Sequence, residues 1–586
     1  MATCLMMTAC SNESGTEQQT SVFAVSQGTE NKTASAGNNA DISSVAADMS
    51  AETGSIASED EMFSTRDFEV GYSDAAEINL SDIGTSANGS GVSVNGNVIT
   101  ITEKGSYLFS GTLNDGQIVV DADGEKVQIV LDSASVTCSG SAALYVKKAD
   151  KVFVTTSDGS VNRLASAGEY SSSDEAKIDG AVFAKDDITF NGGGSLEISS
   201  ETGNGIAAKD DVKITSGTYV ISAAKKGIES KESVRIADGN ITITSGTDGI
   251  HAENSDNAEE GFVYICGGDI RITSGDDGIH AQTSITVTAG KTDIQQSKEG
   301  LEGKVIQISG GTVNVRASDD GINAAGSSDG NSGKGGFGGM GDTDENAKIE
   351  ISGGLVNVNA DGDGIDSNGY IIISGGTVFV SASTNDGNGA IDSGISAVIS
   401  GGAVIAAGSS GMAENFASDS TQGSILYTFD STLEAGTELS LTDANGNTLI
   451  SYAPEKQFNC AVISTPEVMA GSTYTVTAGG RSYTVEMTSN IYGESRNFGH
   501  GGFGQDGFRG HGNRFRDENA ANGGNAAPEM PDGDLPAFPG GKMPDPANGE
   551  RPEFPNGGNP GSAGGERSEQ RQQSENILPE RQESIN

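Results

Sequence analysis

One pattern returns along the stretch from about Ala181 to Ala407: a polar residue, usually acidic or amide, then a glycine, then an aliphatic residue, with a small residue two places on. It reads Asn204-Gly205-Ile206, Lys226-Gly227-Ile228, Asp248-Gly249-Ile250, Asp277-Gly278-Ile279, Glu299-Gly300-Leu301, Asp320-Gly321-Ile322 and Asp363-Gly364-Ile365, with a weakened copy at Ala390-Ile391-Asp392. The glycines mostly recur at about 22 residues, and self-similarity at a fixed period of that size signals a solenoid. After the Asp-Gly-Ile turn comes a β-branched run such as Asp211-Val212-Lys213-Ile214, then a small turn such as Ser309-Gly310-Gly311, then a second alternating run such as Thr312-Val313-Asn314-Val315. The period is two throughout, so these are strands; the 3.6-residue apolar stripe of a helix is absent. Three short strands and three turns in about 22 residues make one coil of a parallel β-helix.

Two departures from the period locate insertions. The step from Gly249 to Gly278 is lengthened by the acidic segment Glu253 to Glu260, and that from Gly321 to Gly364 by the Gly/Ser-rich stretch Gly326 to Thr343. Insertions in a solenoid leave through turns and tend to lie on one face, often the binding face.

Hydrophobic content of 34% is low for a globule of 586 residues, but a thin solenoid needs only every second strand residue inside. The 85 glycines suit a fold of tight turns. A net charge of -48 excludes nucleic acid and an anionic membrane as partners and favours cations, or ligands reached through cations; it also serves solubility. The five cysteines have no spacing of a zinc site or disulfide framework, and Cys138, Cys266 and Cys460 read as isolated small residues.

Along the chain, residues 1–10 are short and apolar and end in a small residue before Cys10, like the end of a bacterial lipoprotein signal. On that reading Cys10 is lipidated, residues 11–62 are a disordered tether, and the protein is an extracellular, cell-surface lipoprotein that meets a membrane only through its lipid. Residues 63–423 are the expected β-helix, irregular in its first coils up to Ala142 and interrupted by a polar insertion from Ser157 to Asp179. Residues 424–490 read as hairpins forming a small all-β cap or module, with a strong turn at Asp443-Ala444-Asn445-Gly446. Residues 491–586, rich in Gly, Pro, Asn and Arg, are expected to be disordered.

In the Gly-Ile-x-Ala strand, Ile and Ala share the parity of the core, so the residue between them points outward. Up the stack that position is Ala207, Glu229, His251, His280, Glu302, Asn323, Asp366 and Asp392; Glu229, His251, His280, Glu302 and Asn323 are the candidate ligand-binding residues. Beside it run the turn acids Asp248, Asp277, Glu299, Asp320 and Asp363, with Asp276, Asp319 and Asp361 thickening the edge. Coils about 4.8 Å apart make aligned carboxylates repel by about 1 kcal/mol per pair even in water, a cost that asks for compensation. Hard oxygen donors on rigid turns are what Ca²⁺ takes. The candidate calcium ligands are Asp361, Asp363 and Asp366, then Asp319 and Asp320, with the doubled acid Asp276-Asp277 in the same class. Asp before Gly also makes a good turn by itself, and that explanation stays open. His251 and His280 occupy one ladder position on successive repeats; without a third ligand in register they are expected as surface residues. Aromatic platforms for a neutral glycan are few: there is no Trp, and Tyr145, Tyr219, Tyr264, Tyr370 and Phe379 are equally core candidates. An acidic polysaccharide bridged by Ca²⁺ fits the charge better.

The segments Ala143 to Val152, Phe183 to Ile188, Asp361 to Gly369 and Ala407 to Met412 resemble the clostridial cell-surface carbohydrate-binding proteins with a pectate-lyase-like right-handed parallel β-helix, over about Phe63 to Ser489. The resemblance implies calcium binding and affinity for polygalacturonate and cellulose-type polymers; separately, the chain is expected to be a monomer. Three functions follow as expectations: a non-catalytic calcium-dependent binder, a calcium-dependent polysaccharide lyase, or a calcium-stiffened structural adhesin. A lyase needs a base beside the calcium; the outward Lys213, Arg235 and Arg271 lie on other strands than the acidic ladder.

Overall fold

The computed structural model describes residues 62–170, 177–325 and 343–495, all within the first of two units, Met1–Gly502; the second, Phe503–Asn586, lies outside the described residues. So do Cys10, nearly all of the tether, and the insertion 326–342. The described chain is all-β, apart from one short 3-10 turn, and coils into a β-solenoid of about 11 turns.

Each coil contributes one strand to each of three parallel ladders. The first ladder holds the Asp-Gly-Ile motif, with Ile206 opposite Ile228, then Ile250, Ile279, Leu301, Ile322, Ile365 and Ile391. The second stacks Ile188, Val212, Val234, Val263, Ile285, Ile306, Ile349 and Ile371. The third stacks Leu196, Tyr219, Ile241, Ile270, Thr292, Val313, Val356 and Val378. These inward columns are almost completely buried and form one continuous core, so every coil gains its hydrophobic stabilisation from the coils above and below it.

The motif glycines are required by close approach. A Cβ at Gly321 would stand 2.6 Å from the carbonyl oxygen of Gly364 and 2.2 Å from Val358 Cγ1, and Gly227, Gly249 and Gly278 meet the same carbonyl of their next coil. The turns between the second and third ladders use glycine differently: Gly311, Gly354, Gly376 and Gly402 have φ of 74 to 83°.

Both ends of the stack are covered. At the start, Val92–Asn95 and Val98–Ile101 form an antiparallel hairpin whose second strand begins the first ladder. At the other end, Phe458–Ser464 pairs antiparallel with both the last third-ladder strand and Ser424–Leu433, and a separate four-stranded antiparallel sheet packs Leu439, Leu441, Tyr474 and Val476 into one cluster with Phe379, Ile405 and Ile463. Capping removes the open backbone edge that would invite another chain.

Three expectations need correction. The segment from Ser157 is not all insertion, because Val161–Ser166 is a third-ladder strand and the excursion begins after it. Ile491–Tyr492, placed in the tail from composition, pairs in parallel with Ser424 and Ile425. The chain from Met62 to Glu69, at the start of the expected β-helix, forms no coil strand but a strap across the second ladder's outer face. There Asp67, fully buried, meets Lys151 Nζ at 2.7 Å and accepts from Thr189 at 2.8 Å, while its carbonyl accepts from Asn191 and Thr215.

Candidate functional site

The first ladder's outer column is positioned by backbone pairing. Glycine N–H groups of one coil donate to the turn-acid carbonyl of the next: Gly227 to Asp248, Gly249 to Asp277, Gly278 to Glu299, Gly300 to Asp320 and Gly321 to Asp363. Turn acids of successive coils are thus stacked by the same bonds that hold the solenoid together. Beside them, the register sets Ala207, Glu229, His251, His280, Glu302, Asn323, Asp366 and Asp392 opposite one another in order.

The column changes character along its length. Its first rungs are apolar: Tyr145, Phe183 and Ala207 pack together with Ile178 and Tyr170 from the excursion that folds over them. From Glu229 it becomes ionic, and here the protein supplies its own cations. Lys226 lies 2.9 Å from Glu229, and Asn204 donates to the other carboxylate oxygen at 2.7 Å; against the effect of burial, the lysine holds Glu229 below the usual carboxylate range.

Next come two stacked imidazoles, His251 and His280, with ring centroids 4.7 Å apart and planes 11° from parallel. His251 Nδ1 lies 2.8 Å from Asp248 and Nε2 3.2 Å from Glu253. His280 Nδ1 lies 2.7 Å from Glu302 Oε2 and 3.5 Å from Asp277 Oδ2. Burial would favour a neutral ring at His280, but the two carboxylates win and raise it to about 10. Asp277 is pushed up to about 6 by burial and by Glu302 facing it. The histidines are therefore not surface residues lacking a third ligand: His251 is buried, His280 half-buried, and Glu302 of the next coil completes an Asp-His-Glu group whose ligand atoms all lie within 4.8 Å.

Two coils further on, the acids lose their cations. Asp320, Asp363 and Asp366 place one carboxylate oxygen each within 4.8 Å of one another. Among the described residues, no lysine, arginine or histidine forms an ion pair with any of them. Asp320 Oδ1 accepts the Asp363 N–H at 2.6 Å and Asp363 Oδ1 accepts the Gly389 N–H, so one oxygen of each is pinned by backbone. Burial and then mutual repulsion push Asp363 up to about 7 and Asp320 to about 6, and raise Asp366 well above its ordinary value. Carboxyls forced toward protonation by each other's charge are a set that a divalent cation would restore to the ionised form.

The other candidates fall elsewhere. Asp361 turns to Lys456 of the C-terminal module, 3.0 Å away, and does not join Asp363 and Asp366. Asp319 is exposed beside the triad, and Asp276 faces Lys298 at 3.9 Å. Asn323 donates to Glu299 at 2.9 Å. Tyr145, Tyr219, Tyr264 and Phe379 are buried and offer no platform to a sugar ring. Lys213 and Arg235 both pair with Asp211, at 3.2 and 3.1 Å, and Arg235 also donates to the Met62 carbonyl of the strap; Arg271 pairs with Asp269 at 2.6 Å. Sequence reasoning missed the Asp277-His280-Glu302 group because it compared the histidines only with each other; reading the next coil at the same ladder position supplies Glu302.

Residues 95–343 match a family model described as carbohydrate-binding domain-containing protein. A relative in Acetivibrio thermocellus carrying that same description is 40% identical over 139 residues, which is 23% of this chain and 49% of the relative, so the chain spans about half the length of the curated relative it matches. A solved structure described as the polysaccharide lyase-like protein from C. thermocellum, gadolinium derivative, is 36% identical and covers 42% of this chain and 95% of its own, with a TM-score of 0.36.

Proposed function

We propose that the chain, whose residues 95–343 match the carbohydrate-binding domain family model, is a non-catalytic, calcium-dependent binder of an acidic polysaccharide of the plant cell wall, polygalacturonate before a cellulose-type polymer. The observation that carries this reading is the convergence of Asp320, Asp363 and Asp366 on backbone-pinned turns without a protein cation, in a chain of net charge -48. Ca²⁺ would be held by these three carboxylates, with its remaining positions filled by water or by uronate and hydroxyl oxygens. The ion supplies the charge that lets an anionic chain approach an anionic surface. The protein's part is rigidity: ladder hydrogen bonds fix the carboxylates before ligand arrives, so little ordering is left to oppose binding.

A binder rather than a lyase is supported by the state of the basic side chains. Lys213 and Arg235 are committed to Asp211 and lie beneath the Met62–Glu69 strap, on another ladder from the acidic column. We further propose a monomer at the cell surface, tethered by lipid on Cys10.

The test is co-sedimentation of the full chain with insoluble polygalacturonate, in calcium and in chelator, with the ultraviolet absorbance of unsaturated product followed in the supernatant. Calcium-dependent retention without product is expected. Appearance of product would make it a lyase, and calcium-independent retention would remove the bridging role.

A further inference from the structure

The geometry points to a second metal site of a different class: Asp277, His280 and Glu302 take a borderline divalent cation of the Zn²⁺, Co²⁺ or Ni²⁺ kind, two coils from the all-oxygen triad. It goes beyond the calcium reading and does not rest on it, since the residues and the metal class both differ.

The donors are held by separate backbone positions. Asp277 sits in its turn, His280 follows on the first-ladder strand, and Glu302 faces His280 across the ladder. Their ligand atoms lie within 4.8 Å, with His280 Nδ1 at 2.7 Å from Glu302 Oε2 and 3.5 Å from Asp277 Oδ2. A four-coordinate ion with bonds of about 2.0 to 2.1 Å sets its ligand atoms roughly 3.3 Å apart. The two observed separations bracket that figure, so small side-chain rotations suffice. One imidazole with two carboxylates selects borderline metals over Ca²⁺, which prefers oxygen alone and more ligands.

A second observation comes from the neighbouring rung. Asp248-Gly249-Ile250-His251 repeats the arrangement of Asp277-Gly278-Ile279-His280 one coil earlier, and its ring stacks on that of His280. His251 is more than nine-tenths buried, and its Nδ1 lies 2.8 Å from Asp248 Oδ2. A buried imidazole nitrogen facing a carboxylate oxygen at this distance is the same donor pairing that His280 makes with Asp277 and Glu302. The two rungs thus present imidazole and carboxylate donors side by side on consecutive coils.

The competing account is that an imidazolium at position 280 simply bridges Asp277 and Glu302. Titrating the full chain with Co²⁺, in about a hundredfold excess of Ca²⁺, separates the two through the visible ligand-field band, whose intensity reports low coordination with nitrogen present. A saturable band that calcium does not bleach is expected. His280→Gln and Glu302→Gln should each weaken Co²⁺ binding at least about tenfold, with circular dichroism confirming the fold, whereas Asp363→Asn with Asp366→Asn should leave it unchanged. Absence of a saturable band in the folded wild-type chain, a band unaltered by both His280→Gln and Glu302→Gln, or displacement by equimolar Ca²⁺ would overturn the proposal. Loss of calcium-dependent glycan retention with the Co²⁺ band intact would instead bear on the function proposed above alone.

Discussion

Replacing Asp366 by Asn should reverse its effect on stability according to whether calcium is present. In chelator, the raised carboxyls of the triad are a cost that grows with pH. The folded chain keeps protons that the unfolded chain has released, so stability is lost as pH rises from about 4, where an ordinary Asp titrates, through the folded values of about 6 for Asp320 and about 7 for Asp363. Set against an ordinary Asp near 4, these two values give an upper bound of about 7 kcal/mol at pH 8. Repulsion between Asp320 and Asp363 enters both shifts, and partial solvent contact screens it, so about 3 kcal/mol is the working figure. Asn at 366 removes one of three charges and should return on the order of 1 to 2 kcal/mol of this.

The assay is amide hydrogen exchange at Gly321, Ile322, Gly364 and Ile365, whose N–H groups bridge these coils, with rates corrected for intrinsic pH dependence. In chelator at pH 8 the variant should be protected about tenfold or more above wild type. The gap should close as pH falls to about 4. In saturating calcium the order should invert, because the variant has lost a ligand. A variant less protected than wild type in chelator at pH 8 would refute the electrostatic account of the triad.

Gly321→Ala should cost about 3 kcal/mol or more, because its methyl would meet backbone and a core methyl of the next coil at once; urea unfolding measures it, and a change below about 1 kcal/mol would show that the coils can part cheaply. Asp67→Ala should cost about 3 kcal/mol at pH 7 by leaving buried Lys151 with only the Asp187 carboxylate, 3.7 Å away. Asp67 is held down to about 2 by Lys151 and the Ser64 N–H despite burial, so its contribution is full above about pH 4 and fades toward pH 2. The gap between wild type and this variant should narrow over that range, and a gap independent of pH would assign the loss to packing.

What the sequence made legible was whatever repeats. Inward and outward parity, coil length and the order of residues up the outer column follow from a period of two nested in a period of about 22, because identical coils must stack in register to bury their isoleucines. What escaped were contacts made once. Asp67 reaches Lys151, Thr189 and Thr215 from a non-repetitive segment far away in sequence. Asp361 has the same local motif as its neighbours, but its partner, Lys456, comes from the C-terminal module. The Asp-Gly pair had two readings from sequence, turn former or ligand. Stacking gives a reason for the glycine in steric terms, and leaves the acid's side chain to be explained by what it faces: a histidine at Asp277, and other carboxylates at Asp363.

Calorimetric titration of Ca²⁺ into the full chain, with and without soluble polygalacturonate and with glycan-only blanks, tests the central claim most directly, since two ligands that assist each other must do so by the same factor in both directions. The account predicts that glycan tightens calcium binding by the factor by which calcium tightens glycan binding, and that Asp363→Asn with Asp366→Asn abolishes both. Calcium affinity indifferent to the glycan, or unchanged in that double variant, would contradict it.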